Sequence, residues 1–380
     1  MTFEPADRVD AVPPSGIRRF FELTEELDDV ISLGVGEPDF SAPWAAREAA
    51  ITALERGRTA YTANEGKRGL RERIARFERE RHGLSYEPDE ILVTAGASEA
   101  LDLAFRALLD PGDTIAIAQP CYVSYRPTAT FAGLDTIDVP TDAADGFRLT
   151  REALAAAGAE EADALVYCYP NNPTGATMTG DRLREVAAFC REHDLSVFAD
   201  EIYADLTYDH DHTSIATLPD MRERTVVVNG FSKAFAMTGL RLGYAMAPPA
   251  AREAMNRVHQ YTILSAPTTA QHAAIAALDD ALDEVDEMIA QYDRRRNFVL
   301  SRLDEIGLDC FPAGGAFYAF PECPGGDAAE FAERLLESER VAVVPGGAFG
   351  VGGEGHVRVS YATGLDELKT AFDRIERFVA

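Results

Sequence analysis

The stretch "TVVVNGFSKAFAMTGLRLGY", residues 225–244, decides how the rest of the chain is read. It opens on an apolar β-branched run, turns at Asn229–Gly230, and places Lys233 among small, aromatic and apolar residues with no carboxylate in the stretch. A strand that is apolar along its whole length is buried on both faces, as in a parallel sheet covered by helices. A lysine in such a setting is costly, because its charged form loses hydration on burial. The chain has only three lysines, at positions 67, 233 and 369, among 36 basic residues. Lys233 is therefore read as kept for a chemistry that arginine cannot supply.

Working outward, the same kind of apolar run recurs. "EILVTAG" (90–96), "TIAIAQP" (114–120), "ALVYCYP" (164–170), "LSVFADE" (195–201) and "LGYAMA" (242–247) read as strands. Amphipathic helices such as "SEALDLAFRALLD" (98–110) and "TGDRLREVAAFCREHD" (179–194) lie between several of them. Apolar strands alternating with helices predict an α/β fold with a mostly parallel sheet. From about residue 282 the pattern changes. A long charged helix leads into "DCFPAGGAFYAF", "AAEFAERLLESE", "RVAVVPG", "HVRVSYAT" and a last helix. These predict a smaller α+β domain over 282–380 beside a large domain over 46–281. Residues 1–45 form an arm expected to pack with the smaller one.

Composition narrows the function classes. The 380 residues are 46% hydrophobic, ample for a large core, and no apolar run approaches the roughly twenty residues of a membrane helix. "MTFEPADRVDAVPPSG" at the start lacks the basic and apolar blocks of a signal peptide. Five cysteines, at 121, 168, 190, 310 and 323, form no CxxC pair and read as reduced structural thiols, so a cytoplasmic setting is expected. The net charge is −28, spread along the chain, which argues against nucleic acid and anionic membranes as partners. With the shortage of lysine, it reads as the surface of a protein that works in high salt, where self-repulsion is screened.

In open α/β sheets, ligands bind beyond the carboxyl ends of the strands. After 90–96 come Gly96, Ala97 and Ser98 at a helix start, suited to a phosphate. After 114–120 comes Tyr122, and after 164–170 "NNPTG" with Asn172. Asp200 and Tyr203 close the next strand, and Lys233 and Arg241 follow 225–230. Each is ordinary alone: a cap, a turn, a surface arginine, a snorkelling lysine. Together they meet the needs of pyridoxal phosphate. Its aldehyde needs a lysine, its pyridine nitrogen a buried carboxylate, its phosphate a helix N-terminus with hydroxyls and an arginine, its phenolic oxygen donors, and its ring an aromatic cover.

Here the chain resembles the class I/II aminotransferases, fold-type I pyridoxal-phosphate enzymes of the aspartate and aromatic aminotransferase kind. The likeness runs nearly end to end: "SGIRRFFEL" (15–23), "SLGVGEPDF" (32–40), "YTANEGKRGLRERIA" (61–75), "VTAGASEAL" (93–101), "YPNNPTG", "ADEIYADL", "NGFSKAFAMTGLRLGY", "PAGGAFYAF", "VVPGGAFG" and "HVRVSYAT". The resemblance implies a seven-stranded-type α/β/α large domain. It implies that Lys233 carries the cofactor as a Schiff base and shuttles the substrate's α-proton. Asp200 would pair with the pyridine nitrogen, Asn172 and Tyr203 would hold the phenolic oxygen, and Tyr122 would stack on the ring. Ala97, Ser98 and Arg241 would bind the phosphate. Tyr61 would reach the phosphate of a neighbouring subunit, which implies a homodimer. Arg358 would clamp the substrate α-carboxylate beside Gly36, with Asn172 close by. The implied reaction is a ping-pong exchange of an amino group between an L-amino acid, aspartate or aromatic and neutral, and a 2-oxo acid.

The chain departs from many relatives at Gly230, where a serine touches the phosphate, and at Leu240, where a tryptophan stands. No motif marks the reader of the substrate side chain. Arg18 and Arg106 are candidates for a distal carboxylate, and Phe20, Tyr318 and Phe349 for a neutral or aromatic group. Two alternatives stay open. A C–S β-lyase would use the same scaffold, and a regulatory sensor would need an appended DNA-binding module and a basic face. "YDHDHT", with Asp209, His210, Asp211 and His212, lacks metal-ligand spacing and reads as a solvated loop.

Overall fold

The computed structural model describes residues 3–14 and 27–380. Its centre is a seven-stranded sheet built from β2 (Ile91–Thr94), β3 (Thr114–Gln119), β4 (Asp135–Pro140), β5 (Ala164–Cys168), β6 (Ser196–Asp200), β7 (Thr225–Gly230) and β8 (Gly243–Met246). The order across the sheet is β2-β8-β7-β6-β5-β3-β4. Only β8 runs antiparallel to its neighbours. Strands β2, β5, β7 and β8 are buried at every residue, as their continuous apolar sequences require. The helices Arg68–His82 and Thr268–Asp280 pack with the sheet into one apolar cluster, and Ala97–Leu108 and Pro249–Thr262 into another. Strand β3 lies between β4 and β5 and is parallel to both, so the winding order reverses there, the kind of point at which ligand crevices form beyond the carboxyl ends of the strands.

The β4 strand, "DTIDVP", was not among the sequence-predicted strands. It is the sheet edge and only Val139 is fully buried, so its apolar signal is weak. Asp135 N–H donates to Asp113 O and Thr141 N–H to Gln119 O, so the odd-numbered amides point inward to β3.

The predicted long helix is present as Leu282–Glu305. The remaining strands are short. β1 (Ile31–Ser32) pairs in parallel with β10 (Val341–Ala342), while β11 (Val344–Pro345), β12 (Val357–Ser360) and β9 (Tyr318–Ala319) form a second small sheet. "DCFPAGGAFYAF" thus supplies far less strand than its sequence suggests. The reason is close backbone approach. Gly314 and Gly315 N–H both donate to Gly175 O, and a Cβ on Gly315 would meet Pro170 Cβ at 2.6 Å. The segment is threaded against the "NNPTG" turn and delivers Tyr318 to the strand ends. Among the described residues no helix is long and apolar enough to cross a membrane.

Candidate active site

The strand ends enclose a cavity of about 350 Å³. Its wall carries Gly36, Ala97, Ser98, Tyr122, Asn172, Asp200, Tyr203, Lys233, Arg241 and Arg358. Every sequence-predicted site residue is therefore brought together here except Tyr61. That side chain is 80% exposed and lines a separate depression with Arg58, Lys67 and His272. The segment Tyr61–Lys67 is fastened to the same chain by Gln271, which receives Lys67 N–H at 2.8 Å and donates to Thr62 Oγ1 at 3.0 Å.

Lys233 Nζ donates to Gly36 O at 2.6 Å and lies 5.7 Å from the ring centres of Tyr203 and Phe317. Burial, with the charge of Arg358 second, brings its pKa down to about 8. An amine can then exist partly neutral near neutral pH, which a guanidinium cannot. Asp200 ends β6 and is 4% exposed. Tyr125 Oη donates to its Oδ2 at 2.7 Å and Ile202 N–H to its Oδ1 at 3.2 Å. Burial raises its pKa to about 6 against these two bonds, and a cation placed against it would lower it again.

The phosphate-like end is a cup. Gly96 has φ of 100° and precedes the helix Ala97–Leu108, whose first amides lack a side-chain cap. A Cβ on Gly96 would lie 2.7 Å from Arg241 Nη2, and one on Gly243 2.5 Å from Ala97 N. Only glycine at both places lets the arginine, the helix start and β8 converge. Arg241 itself has φ of 52°, a left-handed conformation rare for a side chain of this size. Its Nη1 donates to Thr238 O at 2.8 Å, and it forms no ion pair with a described carboxylate. Ser232, next to Lys233, also lines the cavity and was missed in the sequence. At Gly230, a Cβ would lie 2.9 Å from Gly243 Cα and 3.1 Å from Leu242 O, so a serine side chain has no room.

At the opposite end, Arg358 is 3% exposed. Its Nη1 donates to Asn172 Oδ1 at 2.8 Å and its Nη2 to Gly34 O at 2.6 Å. The guanidinium lies between the rings of Tyr318 and Phe349, 4.6 and 4.7 Å from their centres. Among the described residues no carboxylate pairs with it, and its Nε has no partner. Accepting from Arg358 leaves the Asn172 amide N–H groups free to donate. Tyr203 and Tyr318 share a hydrogen bond at 2.9 Å, and a Cβ on Gly36 would strike Tyr318 Oη at 2.5 Å.

The candidates for the substrate side chain divide. Tyr318 lines the cavity, whereas Phe349 packs on Arg358. Arg106 pairs with Asp102 at 2.9 Å on its own helix, away from the cavity. Arg18 and Phe20 lie outside the described residues. Glu37 stands in the wall, a carboxylate the sequence did not single out.

One expectation is corrected. "YDHDHT" is not simply solvated: His212 Nε2 lies 3.0 Å from the buried Glu201 Oε2, His210 meets Thr177 Oγ1 at 2.9 Å, and Asp209 receives Arg296 at 2.6 Å. These partners come from distant sequence positions, which no local pattern discloses. Among the described residues no group of three or more His, Cys, Asp or Glu is arranged to hold a metal ion.

A family profile described as "Aminotransferase class I and II" matches residues 28–375. An aspartate aminotransferase of Pyrococcus abyssi is 44% identical over 98% of this chain and 97% of its own length. Aromatic-amino-acid aminotransferase 2 of Thermococcus litoralis is 41% identical over 98% and 97%. A crystal structure of an aromatic aminotransferase from Pyrococcus horikoshii superposes with a TM-score of 0.90 at 44% identity, over 95% of this chain and 98% of that one. These relatives are aminotransferases, and the lyase alternative gains no support from them. The chain belongs to the class I and II aminotransferases, enzymes that use pyridoxal phosphate to transfer an amino group.

Proposed function

We propose that this aminotransferase acts on an L-amino acid with an aromatic or neutral side chain, and that the cavity residues divide the work as follows. The single observation that carries the reading is Arg358, a buried guanidinium without a described carboxylate partner, facing the same cavity as Lys233 and Asp200. A buried cation in that state calls for an anion, and a carboxylate on the substrate's α-carbon supplies one with two parallel bonds.

The residues present fit pyridoxal phosphate. Arg241, Ser98, Ser232 and the amides at Ala97 would take the phosphate, Asp200 the ring nitrogen, and the free Asn172 amide with Tyr203 the phenolic oxygen. Tyr122 would cover the ring face. When bound, the cofactor draws electrons from the substrate's α-carbon. The chain's own groups do the rest. Arg358 and Asn172 fix the carboxylate, so the α-carbon proton is presented to Lys233 Nζ, which removes it. Gly36 leaves space for the carboxylate beside Tyr318 Oη. Tyr125 keeps Asp200 ionised by donating to it.

The side-chain preference rests on the wall, where Tyr122 and Tyr318 are aromatic and Glu37 would repel a second carboxylate. A homodimer is part of the proposal. Tyr61, Tyr261, Ile263 and Leu264 are exposed large side chains, and Asn64 Nδ2 joins the Tyr61 segment to the end of the helix Pro249–Thr262 by donating to Leu264 O at 2.7 Å. In the dimer Tyr61 would complete the neighbour's phosphate site. The proposed division into a large unit over 46–281 and a small one over 282–380, with 1–45 joined to the latter, is supported by the β1–β10 pairing. The net charge of −28 supports a high-salt setting, and the five free cysteines support a cytoplasmic one.

The test is the visible spectrum of the loaded protein in high salt while phenylalanine, alanine, aspartate and cysteine are added one at a time. Bleaching that a 2-oxo acid reverses, fastest with phenylalanine and absent in Lys233→Ala, is the expected result. Fastest bleaching by aspartate overturns the side-chain assignment. Pyruvate released from cysteine without bleaching overturns amino transfer itself.

A further inference from the structure

Beside the phosphate cup, outside the lining of the cavity, lies a carboxylate–imidazole pair. Glu99 sits in the first turn of the helix Ala97–Leu108, one residue after Ser98. One of its oxygens, Oε2, accepts the Ala95 N–H at 2.5 Å. The other, Oε1, lies 2.7 Å from His259 Nδ1. The Glu99 side chain is 12% exposed and that of His259 is fully buried. His259 comes from the helix Pro249–Thr262, so the pair bridges two elements that pack face to face.

A carboxylate at this position is a liability on charge alone. It stands next to residues that would hold a phosphate, and like charges repel. Its geometry gives it another use. The turn Ala95–Gly96–Ala97 carries a glycine at φ of 100°, and it must stay tight enough for Arg241 to lie on Gly96. Thr94 Oγ1 closes the turn from one side by donating to Gly96 O at 2.9 Å. The Glu99 carboxylate closes it from the other by holding the Ala95 amide. His259 fixes the carboxylate, since without it the acid would be free to swing to solvent.

We infer that Glu99 and His259 are positioning residues for the cofactor's phosphate. They act through the backbone of the 95–98 turn and touch the cofactor nowhere. The inference rests on the phosphate-cup reading given above. Outer partners of this kind typically change affinity by about 10- to 100-fold for the ligands they orient in metal sites, and the lower figure is expected here.

The experiment measures binding of two probes to full-length apoprotein by their visible absorbance: pyridoxal phosphate, and pyridoxal, which lacks the phosphate. Glu99→Ala should weaken pyridoxal phosphate about tenfold and leave pyridoxal within about twofold, as expected for an effect confined to the cup. Glu99→Gln retains an acceptor for the Ala95 N–H and should recover most of the loss. His259→Ala should behave like Glu99→Ala. Equal losses for both probes would mean a general structural role and overturn the inference. Tighter binding of pyridoxal phosphate to Glu99→Ala would also overturn it, because charge repulsion would then outweigh positioning. Failure of the unsubstituted protein to bind pyridoxal phosphate would instead count against the cofactor reading on which the inference stands.

Discussion

Replacing Arg358 by lysine keeps a positive charge in place but removes the fork that the structure uses. A guanidinium has five N–H donors. Two are engaged, one by Asn172 Oδ1 and one by Gly34 O, which leaves three, including the partnerless Nε. A carboxylate needs two of them. An ammonium has three donors, and after the same two internal bonds only one remains for substrate. The variant should therefore lose one charge-assisted hydrogen bond, worth about 1.5–3 kcal/mol, or about 10- to 150-fold in kcat/KM at 1.4 kcal/mol per factor of ten. Single-turnover rates measured by the visible spectrum give the number directly. The loss should be similar for the amino acid and its 2-oxo acid, because both present the same carboxylate. It should vanish for the corresponding amine, which has none. Arg358→Met adds a second readout. The charge of Arg358 helps to depress the Lys233 pKa to about 8, so its removal should raise that pKa and shift the alkaline lysine titration of the apoprotein upward. An equal loss for amine and amino acid in Arg358→Lys would refute the clamp.

Other consequences can be tested alongside. Tyr125→Phe removes a donor to the Asp200 carboxylate, which favours its neutral form, so the acid limb of the pH–rate profile should move up by about one pH unit, the equivalent of about 1.4 kcal/mol. Gly230→Ser should not improve cofactor binding and should cost about 1–3 kcal/mol of stability in a thermal melt, because its Cβ meets the Gly243 backbone. Burial lowers the His82 pKa, but Asp205 and Glu78 overcome this and hold it up at about 9, so its contribution is full below the ordinary histidine pKa near 6.5 and fades as pH rises through 9. His82→Leu should thus be destabilised by several kcal/mol, on the order of 3–5, at pH 6 and by less at pH 10 in urea unfolding. If the high-salt reading holds, lowering the ionic strength should reduce stability and activity together; full activity of a folded dimer in dilute buffer would end it.

Much of this was legible in the sequence because the chemistry sits at strand ends. The apolar runs before Asp200 and Lys233 fixed both strands, and each run ended within two residues of the structural end. What escaped was set by tertiary approach. Tyr125 looks like any helix-start aromatic until the fold places it on Asp200. His259 lies 160 residues from Glu99, and His212 is drawn in beside the buried Glu201, a partner from another element. The β4 strand was invisible for a different reason: an edge is half wet, and half-wet strands lack the continuous apolar signal.

That edge also bears on how the protein behaves when crowded. With the odd-numbered amides of β4 turned inward, the outward positions are Thr136, Asp138 and Pro140. Proline offers no N–H there, and Asp138 brings a charge that its pairing with Arg126 offsets in part. Salt screens the charge and leaves the proline unaffected. In concentrated brine, where electrostatic protection against strand-on-strand stacking fades, the missing amide at Pro140 is the safeguard that persists.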